Sequence, residues 1–158
     1  LGLALAARNG EHWSEPMTPR FVAAILRSTW LWRLSRVLIT FMYWYAALGF
    51  VMNFSGAEAS MALTGLRPRW LIAGLTIAVQ LTGSALIILD RAVWLGAGML
   101  ATFTLLTIPV DHHFWNMTGL AATQAMLESE EHLTVVGGLI IVAIHSFLRK
   151  ERGQSDRL

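Results

Sequence analysis

Four stretches of this chain run for about a helix's length with almost no charge. They read VLITFMYWYAALGFVMNF at 37–54, WLIAGLTIAVQLTGSALIIL at 70–89, AVWLGAGMLATFTLLTIPV at 92–110 and LTVVGGLIIVAIHSFL at 133–148. A helix of about 20 apolar residues crosses the ~30 Å hydrocarbon core of a bilayer. The fourth stretch is shorter, but charge bounds it at both ends. One such run reads equally well as a buried core helix. Four, with little polar sequence between them, do not fit a water-soluble domain. The pattern predicts an all-α integral membrane four-helix bundle. The short LDR link makes spans two and three an antiparallel hairpin. In the longer link, 111–132, GLAATQAMLESEE reads as a separate, weakly amphipathic surface helix. Upstream, PRFVAAILRSTWLWRL at 19–34 sets Trp30 and Trp32 among arginines, with Arg20 and Arg27 on one face. It reads either as an interfacial amphipathic helix preceding the bundle or as an extension of span one.

Composition supports lipid as the solvent. The chain has 158 residues, 55% hydrophobic and only 14% charged, where a soluble domain carries about 25% charged residues. Its mean hydropathy is +0.54. The charge that exists is placed with a bias. Arg8, Arg20, Arg27, Arg33, Arg36, Arg91, Arg149, Lys150, Arg152 and Arg157 fall on one side of the four spans; Arg67 and Arg69 fall on the other. Basic residues collect on the cytoplasmic side, so both termini are expected in the cytoplasm of a bacterial cell, with the chain multi-pass in the inner membrane. Basic clusters at the two ends suit a lipid surface and give no reason to expect nucleic acid. The organisation expected is a tail and interfacial helix at 1–33, a four-span domain at 34–148 and a basic cytoplasmic tail at 149–158. The chain begins at Leu1 rather than Met, which leaves its true start open, and LGLALAA is too short for a signal peptide or a span. There is no cysteine, so disulfides, thiolate nucleophiles and Cys-ligated metal centres are excluded. The sequons at Asn53 and Asn116 read as chance matches in a bacterial chain.

Polar groups at membrane depth are costly and face protein or water. Their spacing therefore marks inward faces: Thr76, Gln80, Gly83 and Ser84 in span two; Thr104, Thr107 and Asp111 in span three; Thr134, Gly138 and His145 in span four. Hydroxyls and small residues there serve as packing contacts between helices. Gln80 is a primary amide near mid-bilayer and needs several partners; it reads as an interhelical bond or as a ligand contact. In span one, Tyr43 and Tyr45 point to different faces, so at least one looks inward, either filling the core or lining a place for a flat apolar molecule such as a quinone.

PVDHHFWNM, 109–117, packs an acid, two histidines and two aromatics into the end of span three. Adjacent helical residues point about 100° apart, so His112 and His113 do not readily share one ion. One of them can meet SEEHL across the loop. His113 with Glu131 and His132, and Asp111 beside them, form the candidate outer site. Such groups suit zinc, iron or manganese by type, or a proton relay, since histidine titrates near neutrality. No HExxH or comparable spacing is present, and no metal is assigned. The alternative is structural: Glu130 and Glu131 start span four at the positive end of its dipole, His112 meets water, and Trp115 belongs to an interfacial belt.

Taken in order, Arg36 at the start of span one, Gly49 near its end, LTGLRP at 63–68, HHFW at 112–115 and HLTVVGGLIIVA at 132–143 resemble the DoxX family of small membrane proteins. The resemblance covers about 34–148. It implies a four-helix membrane bundle associated with redox systems, including quinone-linked oxidation of thiosulfate and complexes handling oxidative stress. The chain departs from the family where Gln80 replaces a common acid and Asn53 a common lysine. The lack of cysteine excludes sulfur transfer through a protein thiol.

Three functions follow as expectations. The first is a redox or quinone-linked membrane component, non-catalytic or accessory, with membrane lipids and other subunits or further copies of itself as partners. The second is a quinone-reducing enzyme using the outer His/Glu site, with Gln80, Tyr43, Tyr45 and Trp115 lining the quinone pocket. The third is a purely structural subunit of a larger complex. The absence of an evident redox centre in the sequence favours the first.

Overall fold

The computed structural model describes residues 18–155, all-helical apart from turns and short links. The helices are α1 (Arg20–Leu26), α2 (Thr29–Ile39), α3 (Phe41–Met52), α4 (Phe54–Leu63), α5 (Arg69–Ile88), α6 (Val93–Asp111) and α7 (Gly119–Ser155), with a 3-10 turn at Phe114–Asn116. Two compact units divide between Leu34 and Ser35.

In the first unit the predicted 19–34 segment is two helices. Ser28 separates them: its Oγ accepts from the Leu31 amide at 3.2 Å, the contact of a helix cap. α1 buries no residue. Phe21, Ile25, Leu26 and Trp30 stand exposed beside Arg20, Arg27 and Arg33.

In the second unit three helices are long and apolar enough to cross a membrane; α2 and α3 add a fourth if taken as one span broken at Thr40. The expected single helix over 37–54 is therefore not continuous. Thr40 is fully buried, and its hydroxyl donates back to the carbonyl of Arg36 at 2.8 Å, approaching that of Val37 at 3.2 Å. Such back-bonding competes with the backbone ladder and bends helices. The same stretch ends early, at Met52. Asn53 caps α4 by accepting from the Gly56 amide at 3.0 Å, which starts a new helix there.

α6 lies against both α5 and α7, and α5 also packs on α3 and α4. The α5–α6 contact depends on missing side chains. A Cβ on Gly96 would sit 2.7 Å from the Gly83 carbonyl oxygen, and one on Gly83 2.7 Å from Leu100. The link between these helices is tight enough to hold Asp90 and Ala92 at φ +58° and +46°, the left-handed region that costs roughly 1–2 kcal/mol for a residue with a Cβ. Asp90 recovers part of this through its contacts. Its carboxylate meets Arg36 Nη1 at 3.3 Å and accepts from the Ser146 hydroxyl at 3.0 Å, and its carbonyl accepts from Lys150 Nζ at 3.0 Å. One acid thus joins the start of span one, the hairpin turn and α7.

α7 corrects two expectations. The surface helix at 119–131 and span four at 133–148 are one helix of 37 residues, about 55 Å long at 1.5 Å per residue. No proline or interior glycine interrupts the sequence between Leu120 and Val136, so nothing terminates the first helix before the second begins. Glu130 and Glu131 consequently lie in mid-helix and cannot act as its start. The inward face also differs. Thr134 and His145 are exposed, whereas Ala125, Ser129, Leu139, Val142 and Ser146 are buried. The Ser146–Asp90 bond and the bulk of Leu139 set the rotation of the helix, which hydroxyl spacing alone does not reveal. On α5 the expected stripe is correct: Thr76, Gln80, Gly83 and Ser84 are all buried. Outward-facing Leu75, Trp94, Ile140, Ile141 and Phe147 are exposed. An apolar surface of that extent belongs in lipid.

Candidate functional site

The site is a pocket of about 340 Å³ opening towards the end of the bundle that carries the histidines. α3 supplies Tyr43 and Phe50; α5 supplies Thr76 and Gln80; α6 supplies Phe103, Thr107 and Asp111; α7 supplies His132. Most of the wall is apolar, and the polar groups lie at two levels.

The inner level holds Tyr43 and Gln80. Tyr43 is 2% exposed, and its hydroxyl bonds to that of Thr104. Thr104 gives its own proton to the Leu100 carbonyl at 2.8 Å, so Tyr43 is the donor between the two. Tyr45 points the other way, 65% exposed and stacked on Phe41 at 5.4 Å; it does not line the pocket. Gln80 is 6% exposed, and its Oε1 is buried with no hydrogen-bond partner in the protein. An unmade bond at such an atom costs about 1–3 kcal/mol. The interhelical bond that would satisfy this oxygen is not formed.

The outer level is the imidazole cluster, and its membership differs from that expected. His112, not His113, turns inward. α6 ends at Asp111 soon after Pro109, which cannot donate to the helix ladder. The chain then bends so that the His112 ring lies 4.7 Å from that of His132. Glu128, one turn before His132, organises both rings. Its carboxylate lies 2.8 Å from His112 Nδ1, and its backbone carbonyl 2.6 Å from His132 Nδ1. A carbonyl and an ionised carboxylate only accept, so both imidazoles carry a proton on Nδ1 and leave Nε2 as the variable nitrogen. Asp111 lines the pocket near its mouth. Glu131 is exposed on α7; Glu128, about one helical turn earlier, takes the role expected of it. His113 and Trp115 face a separate shallow cleft shared with Pro109 and Asn116, where Trp115 is 55% exposed and packs edge-on to Phe114. Among the described residues, no three His, Asp or Glu side chains come close enough to hold one metal ion.

These positions come from helices, links and a cap whose order matches a known pattern. The sequence model of the DoxX family matches residues 31–113. The chain belongs to the DoxX family. It is also similar to the inner membrane protein YphA of Escherichia coli strain K12, at 27% identity over 112 residues, or 71% of this chain and 78% of that protein. No solved structure matches it. The DoxX match takes in Arg36, Asn53, Gln80 and both adjacent histidines, and ends before α7 supplies Glu128 and His132. With its apolar helices and this relative, the protein is a multi-pass protein of the bacterial inner membrane. Asn53 serves here as a helix cap. Asp90, part of a short link and of no recognised motif, is the acid that meets the buried Arg36. The signal for it in the sequence is a lone acid in a tight link, on the arginine-rich side.

Proposed function

We propose that this DoxX protein holds a quinone in the α3–α5–α6 pocket and serves as a non-catalytic or accessory component of a redox system in the inner membrane. The observation that carries this reading is Gln80: a buried primary amide, at the floor of a largely apolar pocket, whose oxygen has no partner in the protein. An amide fits both redox forms of the ring. Its NH2 donates to a quinone carbonyl, and its Oε1 accepts from a quinol hydroxyl. Phe50 and Phe103 offer flat apolar contact to such a ring. When bound, the quinone supplies the capacity to take up and release electrons and protons. The protein's own residues bind and orient the ring, keep water from its apolar face, and hold exchangeable protons at His112 and His132 beside the mouth.

The histidine end is assigned to the outer face and both termini to the cytoplasm, on the distribution of arginine. Lipids surround the bundle, and the electron-transfer groups are assigned to partner subunits; self-association is the alternative form of partnership. The paired imidazoles favour a second reading, a quinone-reducing enzyme in which they exchange protons with the ring.

The test is purification in mild detergent, followed by mass spectrometry of co-purifying lipids and proteins. The expected result is quinone at near-stoichiometric level together with redox subunits. Quinone on the chain alone, with turnover given a suitable donor, moves the enzyme reading to first place. No quinone retained, and none binding when added, removes both.

A further inference from the structure

Below the pocket floor the bundle keeps a second buried polar group that quinone binding does not use. Ser84 follows Gln80 by one helical turn on the same face of α5. It is 1% exposed, and its Oγ has no hydrogen-bond partner in the protein. This is unusual for serine, which in a helix readily bonds to the carbonyl four residues back, as Ser129 and Ser60 do here. Two buried acceptors at i and i+4, both unsatisfied, lie about 5–6 Å apart at their Cβ atoms. Side chains so placed are neighbours on the helix surface, and water can join their unpartnered oxygens. A water binds where several polar groups converge and otherwise lack partners.

The next turn of α5 continues the polar column. The Ile87 carbonyl accepts from Arg36 Nη1 at 3.2 Å, and the same Nη1 meets Asp90 at 3.3 Å. Asp90 is partly open to solvent on that face, and exposed Lys150 lies beside it. On the α6 side the column is closed by the Gly83–Leu100 contact. The polar groups thus descend from Gln80 and Ser84 on α5, past the Ile87 carbonyl near its end, to Asp90 in the link that follows.

We propose that ordered waters bind along this face between Gln80 and the Arg36–Asp90 pair, and that they carry protons between the pocket and the Asp90 face of the membrane. Each transfer passes a proton from one water to the next along hydrogen bonds; no electron moves and no covalent product forms. The use of these protons at a quinone rests on the function proposed above. The water path does not, and its test contains no quinone.

The natural lack of cysteine makes single-cysteine probes clean. The full-length Ser84→Cys variant, close to isosteric, is placed in sealed proteoliposomes in nitrate buffer. Silver ion is added as the probe, and thiols that remain free are counted by maleimide mass shift after denaturation. Sidedness is read from Lys150→Cys with an impermeant maleimide. Ala47→Cys, at a fully buried apolar position, is the dry control. Silver added on the Lys150 side is expected to block the Ser84→Cys thiol at least about tenfold faster than the Ala47→Cys thiol. A rate equal to that of the dry control, or blocking only from the opposite side, overturns the proposal. Ser84→Ala gives a second reading that needs no probe. A serine bonded to water loses that bond on substitution, with a fall in Tm of about 3 °C expected. A dry, unpartnered hydroxyl is removed at no cost, and an unchanged or raised Tm overturns the proposal independently.

Discussion

At the residue scale, the chemistry of the pocket comes down to which polar atoms are satisfied. Gln80→Leu replaces an unsatisfied amide with an apolar side chain of similar size. Without quinone, stability is expected to fall only slightly, because the protein itself forms no bond to the lost oxygen and a bond to ordered water is all that is given up. Quinone affinity is expected to fall about tenfold, the equivalent of one hydrogen bond of about 1.4 kcal/mol. Thermal melts in detergent with and without added quinone separate the two effects. At the outer level the roles of the two adjacent histidines differ. His112→Ala and His132→Ala are expected to lower quinone-linked activity of the assembled system severalfold, while His113→Ala, on the separate cleft, leaves it unchanged. Equal effects from all three would remove the outer cluster from the mechanism. The His112–Glu128 pair itself adds little stability, since Glu128 is 40% exposed and screened. Glu128→Gln should cost under about 1 kcal/mol in a denaturant titration.

At the element scale, α5 and α6 approach closely because two glycines face each other. Gly96→Val places atoms against the Gly83 backbone, which cannot rotate away as a side chain would. A loss of about 1–3 kcal/mol is expected, measured by unfolding in mixed micelles. Gly74→Ala and Gly98→Ala meet nothing within 4 Å and should stay within about 1 kcal/mol of the parent. Periodicity made span two legible almost to the residue, because one unbroken helix presents a single polar stripe. Span one was less legible. Its breaks at Thr40 and Asn53 come from side chains bonding to nearby backbone, a competition that hydropathy does not register. In α7 the expected boundary falls where polarity changes. A helix stops where its hydrogen-bond ladder is interrupted, and no residue there interrupts it.

At the scale of the whole molecule, one partly buried ion pair joins elements far apart in sequence. Asp90→Asn leaves Arg36, 6% exposed, without that carboxylate. The expected cost is about 1–3 kcal/mol, below the full cost for a buried pair because Asp90 remains partly solvated. Restored stability in the double variant Arg36→Met with Asp90→Ala would show that the cost lay in the stranded charge; the measurement is a double-mutant cycle of Tm values.

What the sequence by itself determined was the solvent and the all-helical class, not where each helix breaks. Long apolar runs, a charge deficit and an order of short motifs were enough for an all-α membrane bundle of the DoxX family, because lipid leaves the backbone few alternatives to helix. They also brought Gln80, Tyr43, Asp111 and His132 into view as candidates. Only the tertiary structure chose Tyr43 over Tyr45, His112 over His113 and Glu128 over Glu131. The tyrosine and glutamate choices depend on the rotation of a helix about its axis, where one residue is about 100°, and the histidine choice on the bend of the chain past the end of α6. That rotation is set by contacts between helices, such as Gly83 with Gly96 and Asp90 with Ser146, which no single segment contains.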